Sequence, residues 1–407
     1  MAAFPHQAAQ ADTAPPLAGA KVLDLGTRVA GPYCATLLGE FGAEVIKVEL
    51  PGRGDPYRTV GTMTEEGATL NYLNDNRNKK ALTLDLRQPA GVAVFKRLVA
   101  DADFLVENFR PGTLEKWGLA PDVLQAVNPR LIVVRVSTYG QDGPYSARPG
   151  VARIAYGYCG ISYLCGEADG PPLQPATNAL GDYIAGQNAA FGALLAYIAR
   201  GRHGKGQTVD VSLYESMLRM LDELVPAYAR TGYVRERAGA SSPHTVPSNH
   251  YRTRDGKWVA MSASSREMFQ RLAAAMGQPA MAAQYPTNAS RVAERERIEA
   301  AVSAWLGGLS RDEAIAAGEA HGVPIGPINS IGDLFEDAHI RARGSLRAVA
   351  TPAGGTVTVV DTMPRLALNP GRIDSLGARL GEHTDAVLRD AGFSCDDIAE
   401  LRAAGVV

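Results

Sequence analysis

The chain has 407 residues, enough for a large hydrophobic core and for two unequal folding units. Hydrophobic residues make up 46% and charged residues 21%, a globular composition that excludes a disordered chain. The formal net charge of −2 supplies no field for a nucleic acid or an anionic membrane surface, so neither partner is expected, and any bound anion must meet local basic groups.

The first eighteen residues are Ala/Pro-rich and polar, without a basic or apolar leader pattern, and read as a loose tail. Lys21–Leu25 reads as a buried strand, Tyr33–Phe41 as a helix and Glu44–Glu49 as a second strand. Ala81–Leu86, Phe104–Val106 and Leu131–Val136 are further strands, with helical spacing over Gly91–Ala100. Strand, helix, strand at these intervals predicts an α/β fold with a parallel sheet and crossover helices.

From Gly181 the pattern becomes Ala-rich and helical over Tyr183–Arg200, closing on a Gly/basic turn, Gly201–Gly206. That turn follows a helix and not a strand, so it is read as a C-cap and not as a phosphate loop. A strand over Thr208–Leu213 and a helix over Glu215–Tyr228 follow, then a Gly/Ser/Pro-rich loop, Arg235–Asn249, read as mobile or as a boundary. Tyr251–Ala263 reads as a hairpin turning at Asp255–Gly256, followed by helices to about Gly318. Gly355–Val360 is strand-like and Thr384–Ala391 helical. No apolar run approaches the ~20 residues that span a bilayer. The four cysteines, Cys34, Cys159, Cys165 and Cys395, form no CxxC pair and have no histidine at ligand spacing, so no metal site is expected and a reducing cytoplasm is the natural setting.

Few side chains stand out as chemical. Asp182 lies between Gly181 and a helical run. It could be an N-cap, its carboxylate bonded to the first-turn N–H groups. It could instead be a nucleophile held ionised by the helix dipole, with flanking glycine leaving room for a substrate carbonyl. Local pattern leaves both readings open. Arg77, Lys79 and Lys80 sit in a polar turn before a strand, either solvated or set to hold phosphates. Asn108 and Phe109 follow a short strand, where α/β sheets bind ligands; the amide could bond a base and the ring could stack on one.

Nine segments together resemble the family III CoA-transferases. They include LDLGTRVAGPYCATLLGEFGAEVIKVELPGRGDPYR (23–58), NRNKKALTLDL (76–86), DFLVENFRPGTLEKWGL (103–119), STYGQDGPYSARPG (137–150) and NALGDYIAG (178–186). GKGQTVDVSLYESML (204–218), YRTRDGKWVAM (251–261), HGVPIGPINSIGDLF (321–335) and LGEHTDAVL (380–388) complete the series, in the family's order. The resemblance implies a large Rossmann-like domain built from both chain ends (19–224 with 326–407), a small α+β domain (225–325) and a homodimer interlocked like ring links. It implies that Asp182 is the catalytic residue, carrying first an acyl group as an anhydride and then CoA as a thioester. Asn108, Phe109 and Lys116 match the segment that meets the CoA nucleotide, and Tyr139 matches a position near the pantetheine or active site. Arg77 and Lys80 are further phosphate candidates.

On this reading the coenzyme A thioester is a substrate, with no prosthetic group. The donor is a short acyl-CoA, succinyl-CoA among the candidates, and the acceptor a small carboxylate or dicarboxylate. Arg28, Arg153 or Arg266 could hold a second carboxylate. Nitrogen donors for anionic intermediates are sought near 181–186 and in the 240–249 loop. Relatives that racemise 2-methylacyl-CoA carry a histidine and a glutamate where this chain has Val151 and Arg266, so the proton-transferring pair of that alternative is missing. Formyl transferases carry glutamine where Val29 stands, which weighs against a formyl donor. A non-catalytic CoA-binding protein, with Asp182 only capping its helix, is the third reading.

Overall fold

The computed structural model describes residues 14–65, 67–351 and 354–407. The chain divides into two compact units. The first comprises the residues up to Ile161, Gln174–Thr231 and His339–Val407; the second comprises Ser162–Leu173 and Gly232–Ala338.

The first unit is organised by six strands: β1 (Lys21–Asp24), β2 (Glu44–Glu49), β3 (Lys79–Thr83), β4 (Phe104–Glu107), β5 (Ile132–Ser137) and β6 (Thr208–Ser212). They pair in parallel in the order β3-β2-β1-β4-β5-β6. Every residue of β4 and β5 is buried, which is why these strands read as continuous apolar runs rather than alternating ones. Successive side chains enter opposite layers. Val22, Phe104, Val106 and Val134 pack under helix Ala30–Glu40 and the long helix Leu180–His203. Leu23, Leu105 and Val133 pack under Pro89–Val99 and the C-terminal helices Thr384–Asp390 and Cys395–Ala403. Both ends of the chain therefore build this unit.

The alanines of the long helix let it lie close to the sheet, and Gly186 is required where it crosses Ala30–Glu40. A Cβ at Gly186 would stand 2.8 Å from the Ala30 carbonyl oxygen and 3.0 Å from the Tyr33 ring. The helix ends as its Gly/basic turn predicts, with Gly204 left-handed (φ +76°) and its N–H on the Arg200 carbonyl.

Three expectations change. β3 begins two residues before Ala81, because Lys79 is drawn inward to Asp24 (2.9 Å) instead of staying in a solvated turn. The helix expected over Glu215–Tyr228 is two helices, Leu213–Leu218 and Leu224–Thr231, broken where Asp222 adopts φ +46°. Of the expected tail, residues 1–13 lie outside the described residues. Leu17 is buried in the core, and its N–H donates to the Phe41 carbonyl at 3.0 Å.

In the second unit, β7 (Ser248–Arg252), β8 (Trp258–Ser262) and β9 (Ile325–Pro327) form an antiparallel sheet. Its first turn falls at Asp255–Gly256, with Gly256 at φ +76°. The sheet packs on helices including Arg266–Ala275 and Arg295–Gly307 around Val259, Phe269, Leu272, Ile298 and Val302. Within Arg235–Asn249, read as mobile or as a boundary, residues 241–246 are strapped by side chains of helix Asn288–Ala293 and of the helix that follows it. Asn288 Nδ2 donates to the His244 carbonyl (2.7 Å), and Arg291 Nε to that of Val246 (2.7 Å). Arg295 donates to the Ser242 and Pro243 carbonyls, both at 2.8 Å.

Candidate active site

Strand order reverses between β1 and β4, and the loops leaving these two strands flank the crevice where doubly wound sheets take ligands. The two loops are joined by reciprocal bonds. Asn108 Oδ1 accepts from the Thr27 N–H at 2.7 Å, and Asn108 Nδ2 donates to the Thr27 carbonyl at 2.8 Å. The amide expected to reach a base is thus bonded to backbone and shapes the crevice floor.

Beneath the β1 loop lies a buried chain of charges. Lys47 pairs with Asp55 at 3.0 Å and donates to the Gly26 carbonyl at 2.8 Å. Asp24 accepts from Lys79 and from the Gly26 N–H (2.8 Å). Asp55 in turn takes the Arg28 N–H on both carboxylate oxygens, at 3.0 and 3.1 Å. Opposed by burial, the Lys47 ammonium and the backbone donors still hold the Asp55 carboxyl below its ordinary range. Arg28 is kept at φ +62°, a conformation an L-residue adopts only when its surroundings enforce it.

A pocket of about 160 Å³ opens beside this loop, lined by Leu25, Leu50, Leu84, Phe109 and Trp117 among others. Phe109 meets Trp117 edge to face at 5.2 Å. Lys116, exposed and without an ion pair among the described residues, precedes Trp117 in the chain. Arg77 and Lys80 are placed otherwise. Arg77 is buried against Glu40 at 2.5 Å and donates to the Val360 carbonyl, and Lys80 pairs with Glu44 at 2.5 Å. Their charges are engaged within the fold. Tyr139, just past β5, joins Tyr158 (5.2 Å) and Tyr145 (6.1 Å) in an aromatic cluster completed by Tyr214.

Asp182 is the third residue of the long helix, one turn inside the N-cap position, which Ala179 occupies without a capping side chain. Tyr156, from helix Ala152–Tyr158, caps instead: its hydroxyl accepts the Gly181 N–H at 2.7 Å. Among the described residues no donor bonds the Asp182 carboxylate. Burial without such partners pushes its pKa up to about 7, against the opposing field of Arg28. Around it, the Tyr183 hydroxyl donates to Asp75 at 2.8 Å, and the Tyr183 ring meets Tyr33 edge to face at 4.8 Å.

Two details revise the sequence expectations. Gly181 is glycine for packing: a Cβ there would stand 2.6 Å from Met217 Sδ and 3.2 Å from the Tyr156 ring. Its N–H, expected as a donor to substrate, already serves Tyr156. Tyr156 and Lys47 were not singled out in the sequence, yet each has a signal. An N-cap position holding alanine calls for a cap from elsewhere, and a lysine inside a buried strand calls for an acid.

With this geometry in place, comparison with known proteins defines the class. Residues 17–384 match the model of CoA-transferase family III. The succinyl-CoA–L-malate CoA-transferase alpha subunit of Chloroflexus aurantiacus is 47% identical over 396 residues, covering 96% of this chain and 92% of that protein. The human succinyl-CoA:glutarate CoA-transferase is 32% identical, covering 96% and 90%. A crystal structure of a CAIB/BAIF family protein from Brucella suis superposes with a TM-score of 0.83 at 33% identity, over 93% of this chain and all of that one. The chain belongs to CoA-transferase family III and is a CoA-transferase by that membership.

Proposed function

We propose that this protein transfers CoA from succinyl-CoA, or another short acyl-CoA, to a small dicarboxylic acid, with Asp182 as the covalent carrier. The observation that carries the proposal is a carboxylate at the start of a long helix that is desolvated, unbonded and relieved of any capping duty by Tyr156. A buried aspartate with a structural role has partners, and one without them is available to react.

In the proposed sequence an Asp182 oxygen attacks the donor thioester carbonyl and CoA leaves as thiolate, giving a mixed anhydride. The thiolate then attacks the aspartyl carbonyl and releases the donor acid, leaving an aspartyl-CoA thioester. The acceptor carboxylate attacks this thioester, and the returning thiolate takes the acceptor acyl group and frees Asp182. Each step exchanges one activated acyl bond for another, so little net driving force is needed. CoA is proposed to lie along the crevice, its nucleotide against Phe109 and Lys116 and its pantetheine arm near Tyr139. Asn108 shapes the crevice through Thr27. Dicarboxylate substrates are supported by the malate and glutarate named for the two relatives.

The proposal includes a homodimer, interlocked as in the family. Phe191, Leu195 and Ile198 form an exposed apolar stripe along the long helix, which supports a second copy as its cover. The four unpaired cysteines favour a reducing, cytoplasmic setting, and among the described residues no helix is long and apolar enough to cross a membrane.

The test is chromatographic: succinyl-CoA with malate, glutarate or citramalate should yield the acceptor's CoA ester, and Asp182→Ala should lower kcat by about 1,000-fold or more. Full turnover by Asp182→Ala would remove the carrier role.

A further inference from the structure

We propose that Arg28 is the specificity-determining residue of this site, holding the second carboxylate of a dicarboxylic substrate while its reacting carboxyl or thioester carbonyl lies at Asp182. The inference rests on the reading of Asp182 as carrier and adds what selects the acid. Three arginines were open to this role. Arg153 donates to Asn178 Oδ1 at 3.3 Å, and Arg266 opens a helix of the second unit. All three are exposed, and among the described residues none has an acid partner. Arg28 is set apart by its loop, where the next residue, Val29, packs in the cluster that includes Ala179 and Tyr183, and by its field, which reaches Asp182.

The backbone explains why the position is fixed. Arg28 is non-glycine at φ +62°, and the bidentate grip of Asp55 on its N–H keeps it there. Asp55 is anchored by Lys47, whose ammonium also bonds the Gly26 carbonyl. This buried chain of charges does nothing for the sheet that an apolar core would not do as well. What it fixes is the direction in which the Arg28 side chain leaves the loop. Next in the chain, Val29 packs in the cluster that includes Ala179 and Tyr183, which flank Asp182. The loop therefore delivers a cation to the nucleophile's own surroundings.

An arginine serving only to stabilise the Asp182 carboxylate would pair with it, and no ion pair joins the two. Its planar fork is left for another carboxylate, matched in geometry and bidentate.

The experiment compares acceptors of equal length, succinate with butyrate and glutarate with valerate, in wild type, Arg28→Lys and Arg28→Gln, using propionyl-CoA as a donor without a second carboxylate. The readout is the ratio of kcat/KM for the dicarboxylate to that for the monocarboxylate. Arg28→Gln should lower this ratio about 30- to 100-fold, chiefly through KM for the acid, with partial recovery in Arg28→Lys. An unchanged ratio in Arg28→Gln overturns the inference. So does an equal loss on both classes, since Arg28 would then serve Asp182 or the fold. A wild type that yields no acceptor CoA ester from any of these acids, with succinyl-CoA as donor as well, sinks the proposed function and the inference with it.

Discussion

A carboxylate that titrates near 7 divides its chemistry by pH. As the proposed nucleophile Asp182 would attack only when ionised, so kcat/KM should rise with pH along a limb whose apparent pKa is about 7 and level off above it. A pH–rate profile from 5 to 9 checks this, and a limb near 4 would contradict the desolvated setting. The same shift has a consequence for stability. The folded-state pKa lies above the unfolded value, so the native state is disfavoured where the unfolded chain is ionised and Asp182 resists ionisation. Asp182→Asn should therefore stabilise the fold at pH 8, by a few °C in Tm, with the gain shrinking through pH 7 to 4 and vanishing below about 4. Tyr156→Phe removes the hydroxyl that accepts the Gly181 N–H and should cost about 1 kcal/mol, read by urea denaturation. At this scale the sequence pointed to Asp182 but left it poised between cap and nucleophile. What bears on that choice is the Tyr156 hydroxyl, a contact 25 residues distant that no local spacing encodes.

The elements are positioned by two devices of opposite chemistry. Gly186 lets two helices touch backbone to backbone, and Gly186→Ala would push a methyl onto the Ala30 carbonyl, which cannot rotate away. A loss of about 1–3 kcal/mol is expected, measured as a shift in denaturation midpoint. The charge chain under the β1 loop is the second device. Lys47→Met leaves Asp55 without its buried cation and should cost about 3–5 kcal/mol. The strands were legible because buried parallel strands carry β-branched runs that nothing else explains; Ile132–Ser137 and Glu44–Glu49 are cases. β3 was misplaced by two residues because Lys79 counts as solvated in any pattern that does not know of Asp24. Residues 241–246 show the same limit: their serines and proline signal a free loop, and the arginines that strap it lie about fifty residues later.

At the scale of the molecule, one sequence pattern fixes the parallel sheet while another property, assembly, has no periodicity to read. The apolar stripe of Phe191, Leu195 and Ile198 lies on a helix that already buries its alanines against the sheet, and it is the surface the proposed second copy would cover. Light scattering should give twice the 43.1 kDa of one chain, and Ile198→Glu should weaken that species. The claim on which the rest depends is that Asp182 becomes a covalent carrier. Intact mass spectrometry after mixing with succinyl-CoA and trapping with hydroxylamine tests it most directly. A hydroxamate mapped to Asp182, absent in Asp182→Asn, is the expected result. An unmodified Asp182 in a protein that still turns over would contradict the account.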